Sequence, residues 1–172
     1  MKSRPDELFE VYDAAGNRIG LRPRSECHGN PALIHRTAHV VVFATDGRLL
    51  LQKRSLNKDI QPGRWDTAVG GHLDPGEDWE RAANRELREE LGISPPGTLR
   101  FLFVTKIRNA IESEDVGVYT LTHDGPFQPP ADEVDDLQFW TAAELRAAAG
   151  TGIFTPNLET ELSLLRQAGL LG

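Results

Sequence analysis

An α/β fold is predicted by three features of the chain. Apolar runs of strand length recur with tight-turn residues between them: His39–Ala44 and Arg48–Gln52 flank Thr45-Asp46-Gly47, and Asp-Gly is a hairpin signal. A stretch of good helix formers, Trp79–Leu91, ends at Gly92, a residue suited to closing a helix in the left-handed conformation. Near the C-terminus, Thr141-Ala142-Ala143-Glu144 reads as a capping box, and Thr155-Pro156 places Thr at the N-cap and Pro at the first helical position. With 172 residues, no repeat, no low-complexity tract and no interdomain linker, one mixed domain spanning 1–172 is expected.

The elements follow in order. Leu8–Tyr12 alternates apolar and polar residues, Asp13–Asn17 carries turn residues, and Arg18–Leu21 resumes, so residues 1–30 are read as an extension bearing a small hairpin. Lys58–Arg64 is a loop punctuated by Pro62-Gly63, and Thr67–Gly70 is a short strand. Gly71–Asp78 contains Asp74-Pro75-Gly76 and must be a loop; with the helix and its exit it makes residues 71–93 a loop–helix–loop. Ser94–Gly97 is a sharp break. Strands are expected near Leu99–Lys106 and Val116–Thr122, then a Pro-rich connector over Gly125–Ala131 and a strand at Asp136–Trp140. The helix opened by Thr141 runs to about Ala149, and the one opened by Thr155 is the last.

Composition narrows the partners. The net charge is −7, with 26 acidic against 19 basic residues and no basic run, which argues against nucleic-acid backbone. Cys27 is the sole cysteine, so no internal disulfide forms and a reducing compartment fits. The first residues, MKSRPDELFEVYD, lack an apolar leader core, and no segment approaches 18 continuous apolar residues. A cytoplasmic protein without membrane association is expected, as a monomer or homodimer.

The chemistry concentrates in GHLDPGEDWERAANRELREELGI, residues 71–93. On a helix, Glu86 and Glu90 lie four apart and Glu89 three from Glu86, so their carboxylates share a side. Three clustered negative charges repel one another unless a cation sits among them, and hard oxygen ligands suit Mg²⁺ or Mn²⁺, which share their remaining positions with water and substrate phosphates. A solvated acidic face held by Arg–Glu pairs would explain the charges alone; it leaves Gly71, Glu77 and Gly92 unaccounted for at their offsets.

The spacing, a Gly six positions before a Glu and then Arg-Glu-Leu-Arg-Glu-Glu-Leu-Gly-Ile, is similar to the Nudix box with every position filled. At average residue usage such a pattern arises by chance in a chain of this length on the order of once in ten million. The chain thus resembles the Nudix hydrolases from about His35 to Trp140. The resemblance implies an α/β/α sandwich with a mixed β-sheet, and hydrolysis of a nucleoside diphosphate linked to another moiety. It implies that Glu86, Glu89 and Glu90 bind Mg²⁺ (Mn²⁺ as substitute) together with the backbone carbonyl of Gly71, that Arg85 orients the glutamates, and that Glu77 is structural or assists a second metal. Diphosphate cleavage needs phosphate charge neutralised and a water activated, which bound dications accomplish. A general base is also needed, either a box glutamate or a later carboxylate among Glu112, Glu114 and Glu133. Of the cations before the box, Lys53, Arg54, Lys58 and Arg64, the two arginines are the stronger candidates to clamp phosphate. Phe43, Trp65, Trp79, Phe101, Phe103, Phe127, Phe139 and Trp140 include candidates for base stacking, although aromatics in strands are usually core.

Within that family, ELFEVYDAAGNRIG, SECHGNPALIHR, LLLQKRSLNKDIQPGRWD and ESEDVGVY look like the branch containing isopentenyl-diphosphate isomerase. That likeness implies a second site in which a transition metal is held by three histidines and two glutamates, here His28, His35, His72, Glu112 and Glu114. The same positions could instead be inherited without a metal, and that reading is preferred. The isomerase needs a cysteine where this chain has Gly70, and glycine transfers no proton; the box glutamates degraded in the isomerase are intact here. The expected activity is therefore a Mg²⁺-dependent pyrophosphohydrolase acting on a small nucleotide di- or triphosphate or nucleotide conjugate. Isomerisation and non-catalytic nucleotide binding are the alternatives.

Overall fold

The computed structural model describes residues 7–58, 60–94 and 99–172. Strands β1 (Leu8–Tyr12) and β2 (Arg18–Pro23) form a separate antiparallel hairpin, followed by one short helical turn, α1 (Arg24–Cys27). The main sheet comprises β3 (His35–Phe43), β4 (Leu49–Arg54), β5 (Trp65–Thr67), β6 (Val69–His72), β7 (Arg100–Arg108), β8 (Ser113–Thr122) and β9 (Val134–Trp140). Helix α2 (Trp79–Leu91) follows β6, and α3 (Ala142–Ala148) and α4 (Pro156–Gln167) close the chain.

The sheet is mixed, as expected. Its path is β5-β4-β3-β8-β7, with β6 also paired to β3 and β9 to β4; β3 and β8 run parallel and the other pairs antiparallel. Side chains on a strand alternate faces, and β3 uses both. Val40 and Val42 pack with Ala82, Ala83, Leu87 and Leu91 of α2 on one side. Val41 packs with Leu145 of α3 and Leu158, Leu162 and Leu165 of α4 on the other. Two apolar layers on one sheet give the α/β/α sandwich, and a strand buried on both faces reads as the continuous apolar run HVVVFA.

Helix boundaries follow their capping chemistry. Asp78 Oδ1 accepts from the Arg81 N–H at the start of α2, and Gly92 ends it with φ 68°. Thr141 and Glu144 form the reciprocal capping box, and Thr155 Oγ1 accepts from Leu158 N–H.

Several boundaries differ from the sequence reading, and three of them bear on the site. β3 begins at His35, four residues earlier than expected, because pairing with Glu114–Thr122 of β8 extends it through the polar HRT segment. The single strand expected at Thr67–Gly70 is two, β5 and β6, which pair with different partners. The box opens in a strand rather than a loop, since Gly71 and His72 pair with Ala38 and Thr37 on β3. The expected break at Ser94–Gly97 lies, after Ser94, outside the described residues. No helix among the described residues is long and apolar enough to cross a membrane.

Candidate functional site

A cavity of about 1110 Å³ opens at the end of the sheet where β3, β6 and β8 meet α2. Glu86, Glu89 and Glu90 all line it, so the helical spacing does bring the three carboxylates to one place. Arg85 sits beside them as a hub. Its guanidinium donates to both Glu77 oxygens (3.1 and 2.8 Å), to Glu86 Oε1 (2.5 Å) and to the His72 carbonyl (2.8 Å), and lies 3.6 Å from Glu89 Oε2. Burial opposes the arginine's charge, but Glu77 and Glu86 outweigh it and hold the guanidinium firmly protonated. Glu77 also accepts from Asp74 N–H at 3.0 Å and so ties the box loop to the helix.

Backbone approach explains the glycines. Gly70 N–H donates to Glu90 Oε2 at 3.1 Å. A Cβ at Gly71 would overlap the Glu86 carboxyl group, so any side chain there would displace that carboxylate from its place beside Arg85. Burial raises the Glu86 carboxyl above its usual range. Burial, reinforced by neighbouring Glu86, pushes Glu90 up to about 8. A paired, desolvated carboxylate set of this kind is unfavourable by itself and favourable around a dication, so the donor set fits Mg²⁺ or Mn²⁺.

The second constellation is assembled in part. His28, His35, His72 and Glu114 bring ligand atoms within 4.8 Å of one another, drawn from the loop after α1, β3, β6 and β8. Glu112 stands apart from the four: it accepts from the Asn157 amide at 3.2 Å and lines the cavity. The reason is position along the chain: Glu112 lies in the turn before β8, whereas Glu114 is within the strand and registered opposite His35. Phe9 of the hairpin stacks on His35 and His72, at 5.0 and 4.2 Å between centroids, so the extension walls this site.

Protonation favours ligation. Burial, with Arg24 next in effect, pushes His28 down to about 4. Burial also lowers His72, against the pull of Glu114. Burial would raise Glu114, but the hydrogen bond with His35 and the His72 ring 3.5 Å away hold its carboxyl well below the usual range. The Nε2 atoms of His28 and His72 are buried without hydrogen-bond partners. One adjustment is required for a metal at His72 Nε2. Arg24 lies 3.1 Å from His72 Nδ1 and can only donate, which fixes the ring proton on Nε2; ligation there moves that proton.

The two phosphate-clamp arginines part company. Arg54 lines the cavity, although Asp66 at 3.2 Å and the Ile60 carbonyl already engage it. Arg64 is not among the cavity-lining residues, and its guanidinium donates to the Phe154 carbonyl. Of the three later carboxylates, Glu112, Glu114 and Glu133 all face the cavity. Among the aromatics weighed for base stacking, none lines it; Trp65, Phe139 and Trp140 pack against the core layers and Phe101 is exposed.

Sequence reasoning missed the pair formed by His39 on β3 and Glu161 on α4, whose Nδ1 and Oε2 lie 2.7 Å apart at the cavity wall. It also missed Asn157 and Asp66. These residues share no local pattern, and 122 positions separate His39 from Glu161.

Known proteins extend the comparison. The isopentenyl-diphosphate Delta-isomerase of Streptomyces avermitilis is 36% identical over 166 residues, covering 94% of this chain and 84% of that one. Nudix hydrolase 3 of Arabidopsis thaliana is 42% identical over 93 residues, which are 53% of this chain and 12% of the plant protein. Among solved structures, DR0079 from Deinococcus radiodurans superposes with a TM-score of 0.75 at 25% identity, over 94% of this chain and 98% of the other. The NUDIX domain of Shewanella oneidensis NrtR, complexed with ADP ribose, gives 0.57 at 25% identity, over 78% and 85%. The sequence pattern of the NUDIX domain matches residues 33–158, spanning the strands of the main sheet, the box helix and the start of α4, and the chain belongs to the Nudix family.

Proposed function

We propose that this protein is a Mg²⁺-dependent Nudix hydrolase that cleaves a diphosphate linkage in a small nucleoside diphosphate derivative. The observation that carries the reading is the gathering of Glu86, Glu89 and Glu90 on one cavity wall, against Gly70 and Gly71, with Arg85 holding their positions. Those three carboxylates and the Gly71 carbonyl would hold the metal, which neutralises phosphate charge and lowers the pKa of water. The chain supplies the rest. Glu112 is our assignment for the base: it lines the cavity, is steadied by Asn157, and burial together with Glu114 raises it toward the working pH. Glu114 is committed to His35 and Thr37 and is a poorer base. In the reaction, Glu112 takes a proton from water as the water oxygen bonds to phosphorus and the bridging P–O bond breaks, leaving two phosphate products. Arg54 would turn from Asp66 to a phosphate oxygen.

A second reading, prenyl diphosphate isomerisation, is favoured by the assembled His28–His35–His72–Glu114 cluster and by the names of the relatives. It meets Gly70 where a proton-transferring side chain is needed. Incubating the protein with Mg²⁺ and a panel of nucleoside diphosphates, triphosphates, nucleotide sugars and isopentenyl diphosphate separates the readings by product identity. Cleavage of a nucleotide diphosphate linkage is expected. Interconversion of prenyl diphosphates without cleavage would establish the isomerase, and binding without either would leave a recognition module.

The cluster has its own test. Purified protein loaded with Mn²⁺ or Zn²⁺ and then desalted should retain about one ion per chain, and His28→Ala should lose it, because losing even a group that only supports a ligand costs about 10- to 100-fold in affinity. Equal retention by the variant would remove His28 from the site.

A further inference from the structure

Position 70 holds no side chain, yet the space above it is filled. A Cβ built on Gly70 would come within 3.1 Å of His39 Cδ2 and 3.2 Å of His39 Nε2. His39 reaches there from the neighbouring strand, where it is registered directly opposite Gly70. A larger side chain at 70 and the imidazole of His39 thus compete for one volume, and this chain has settled the competition in favour of the imidazole.

The ring is not a passive filler. Its Nδ1 lies 2.7 Å from Glu161 Oε2, and Glu161 is only 2% exposed with its other oxygen unpartnered. A buried carboxylate with a single partner at that distance requires a shared proton and fixes the orientation of the ring. The opposite edge, Nε2, has no hydrogen-bond partner among the described residues, and His39 lines the cavity that holds the box glutamates. Burial alone would lower this histidine, but Glu161, with Asp66 and Glu114 behind it, pushes it up to about 9. The result is a cation with a fixed donor facing a cavity otherwise rich in carboxylates, next to the backbone that holds Glu90.

We propose that His39, oriented by Glu161 and occupying the space left by Gly70, donates its Nε2–H to a phosphate oxygen of the bound diphosphate. His39 is thereby a substrate-binding residue, and Glu161 is a positioning residue that acts through it. The assignment rests on the reading of the cavity as a diphosphate site. It also gives Gly70 a purpose: the position is cleared for a donor that arrives from β3.

The test uses the full chain, ¹⁵N-labelled at histidine, with Mg²⁺ and inorganic pyrophosphate, and in parallel with α,β-methylene-ADP. In the wild type, titration should shift the His39 Nε2–H resonance and slow its exchange with water. Calorimetry should show His39→Gln binding pyrophosphate about tenfold or more weakly, the magnitude of a hydrogen bond to a charged group. Glu161→Gln, which keeps the shape of the side chain, should weaken binding comparably and leave the imidazole neutral at pH 7.5. Gly70→Ala should displace the resonance before any ligand is added. If pyrophosphate binds the wild type while the His39 resonance stays still and His39→Gln binds equally well, the proposal fails and the diphosphate reading survives. If neither probe binds the wild type, the diphosphate reading itself fails and the proposal with it. The resonance of the wild type decides the matter even where a variant does not fold.

Discussion

Glu90→Gln should reduce kcat about a thousandfold or more, as expected for loss of a carboxylate that holds the charge-neutralising metal, while making the metal-free protein more stable. Both effects have one origin. Glu90 is desolvated beside Glu86, and that environment pushes it up to about 8. The unfolded carboxyl titrates near the usual carboxylate value, so between that pH and about 8 the unfolded state sheds a proton that the folded state keeps. Stability of the metal-free protein therefore falls as pH rises through this window, by an amount on the order of 5 kcal/mol, and is level above it. Glutamine keeps the acceptor for Gly70 N–H and removes the ionisation. Denaturant unfolding in EDTA at pH 5, 7 and 9 should show the falling slope in the wild type and a flatter one in the variant. Mg²⁺ should restore the wild type and do little for Glu90→Gln. A variant with full turnover, or with the wild-type pH slope, would contradict the placement of Glu90.

Arg85→Ala should be the most damaging single change to the fold of the site. The arginine is the shared partner of Glu77 and Glu86 and the donor to the His72 carbonyl. Removing it strands two carboxylates whose side chains are only 13% and 10% exposed, and an unpaired buried charge costs about 3–5 kcal/mol. In a domain of this size that lowers Tm by roughly 10 °C. Arg85→Lys retains the charge and one donor direction but not the fork that spans Glu77 and Glu86, so it should recover part of the stability and little turnover. Thermal unfolding of the two variants, with and without Mg²⁺, checks the ordering. Equal Tm values for Ala and wild type would show that Glu77 and Glu86 find other partners.

The unequal legibility of the two constellations has a geometric source. The box could be read because its chemistry is local: Glu86, Glu89 and Glu90 share one helical turn, and Arg85 and Glu77 reach them from the same loop–helix unit. The histidine cluster was visible only through resemblance, and the structure divides it, keeping His28, His35, His72 and Glu114 together and leaving Glu112 with Asn157. That division follows from the register of β8 against β3, which places Glu114 and not Glu112 opposite His35. Arg54 and Arg64 looked alike in sequence. Arg54, at the end of β4, lines the cavity, whereas Arg64, just before β5, turns its guanidinium to the Phe154 carbonyl.

What the sequence determined by itself was whatever depends on short-range geometry. This includes helix α2 with its caps, the alternating and doubly buried strands, the capping box of α3, the Thr-Pro start of α4, and the turn that gathers three glutamates. Tertiary structure alone decided which side chains meet across strands and helices: His39 with Glu161 beneath Gly70, Phe9 over the histidines, and Asp66 on Arg54. Hydrogen bonds and apolar spacing within one turn act over a few residues and leave a pattern in the chain. Contacts between elements depend on strand order and register, which only the packing of the two apolar layers onto one sheet sets.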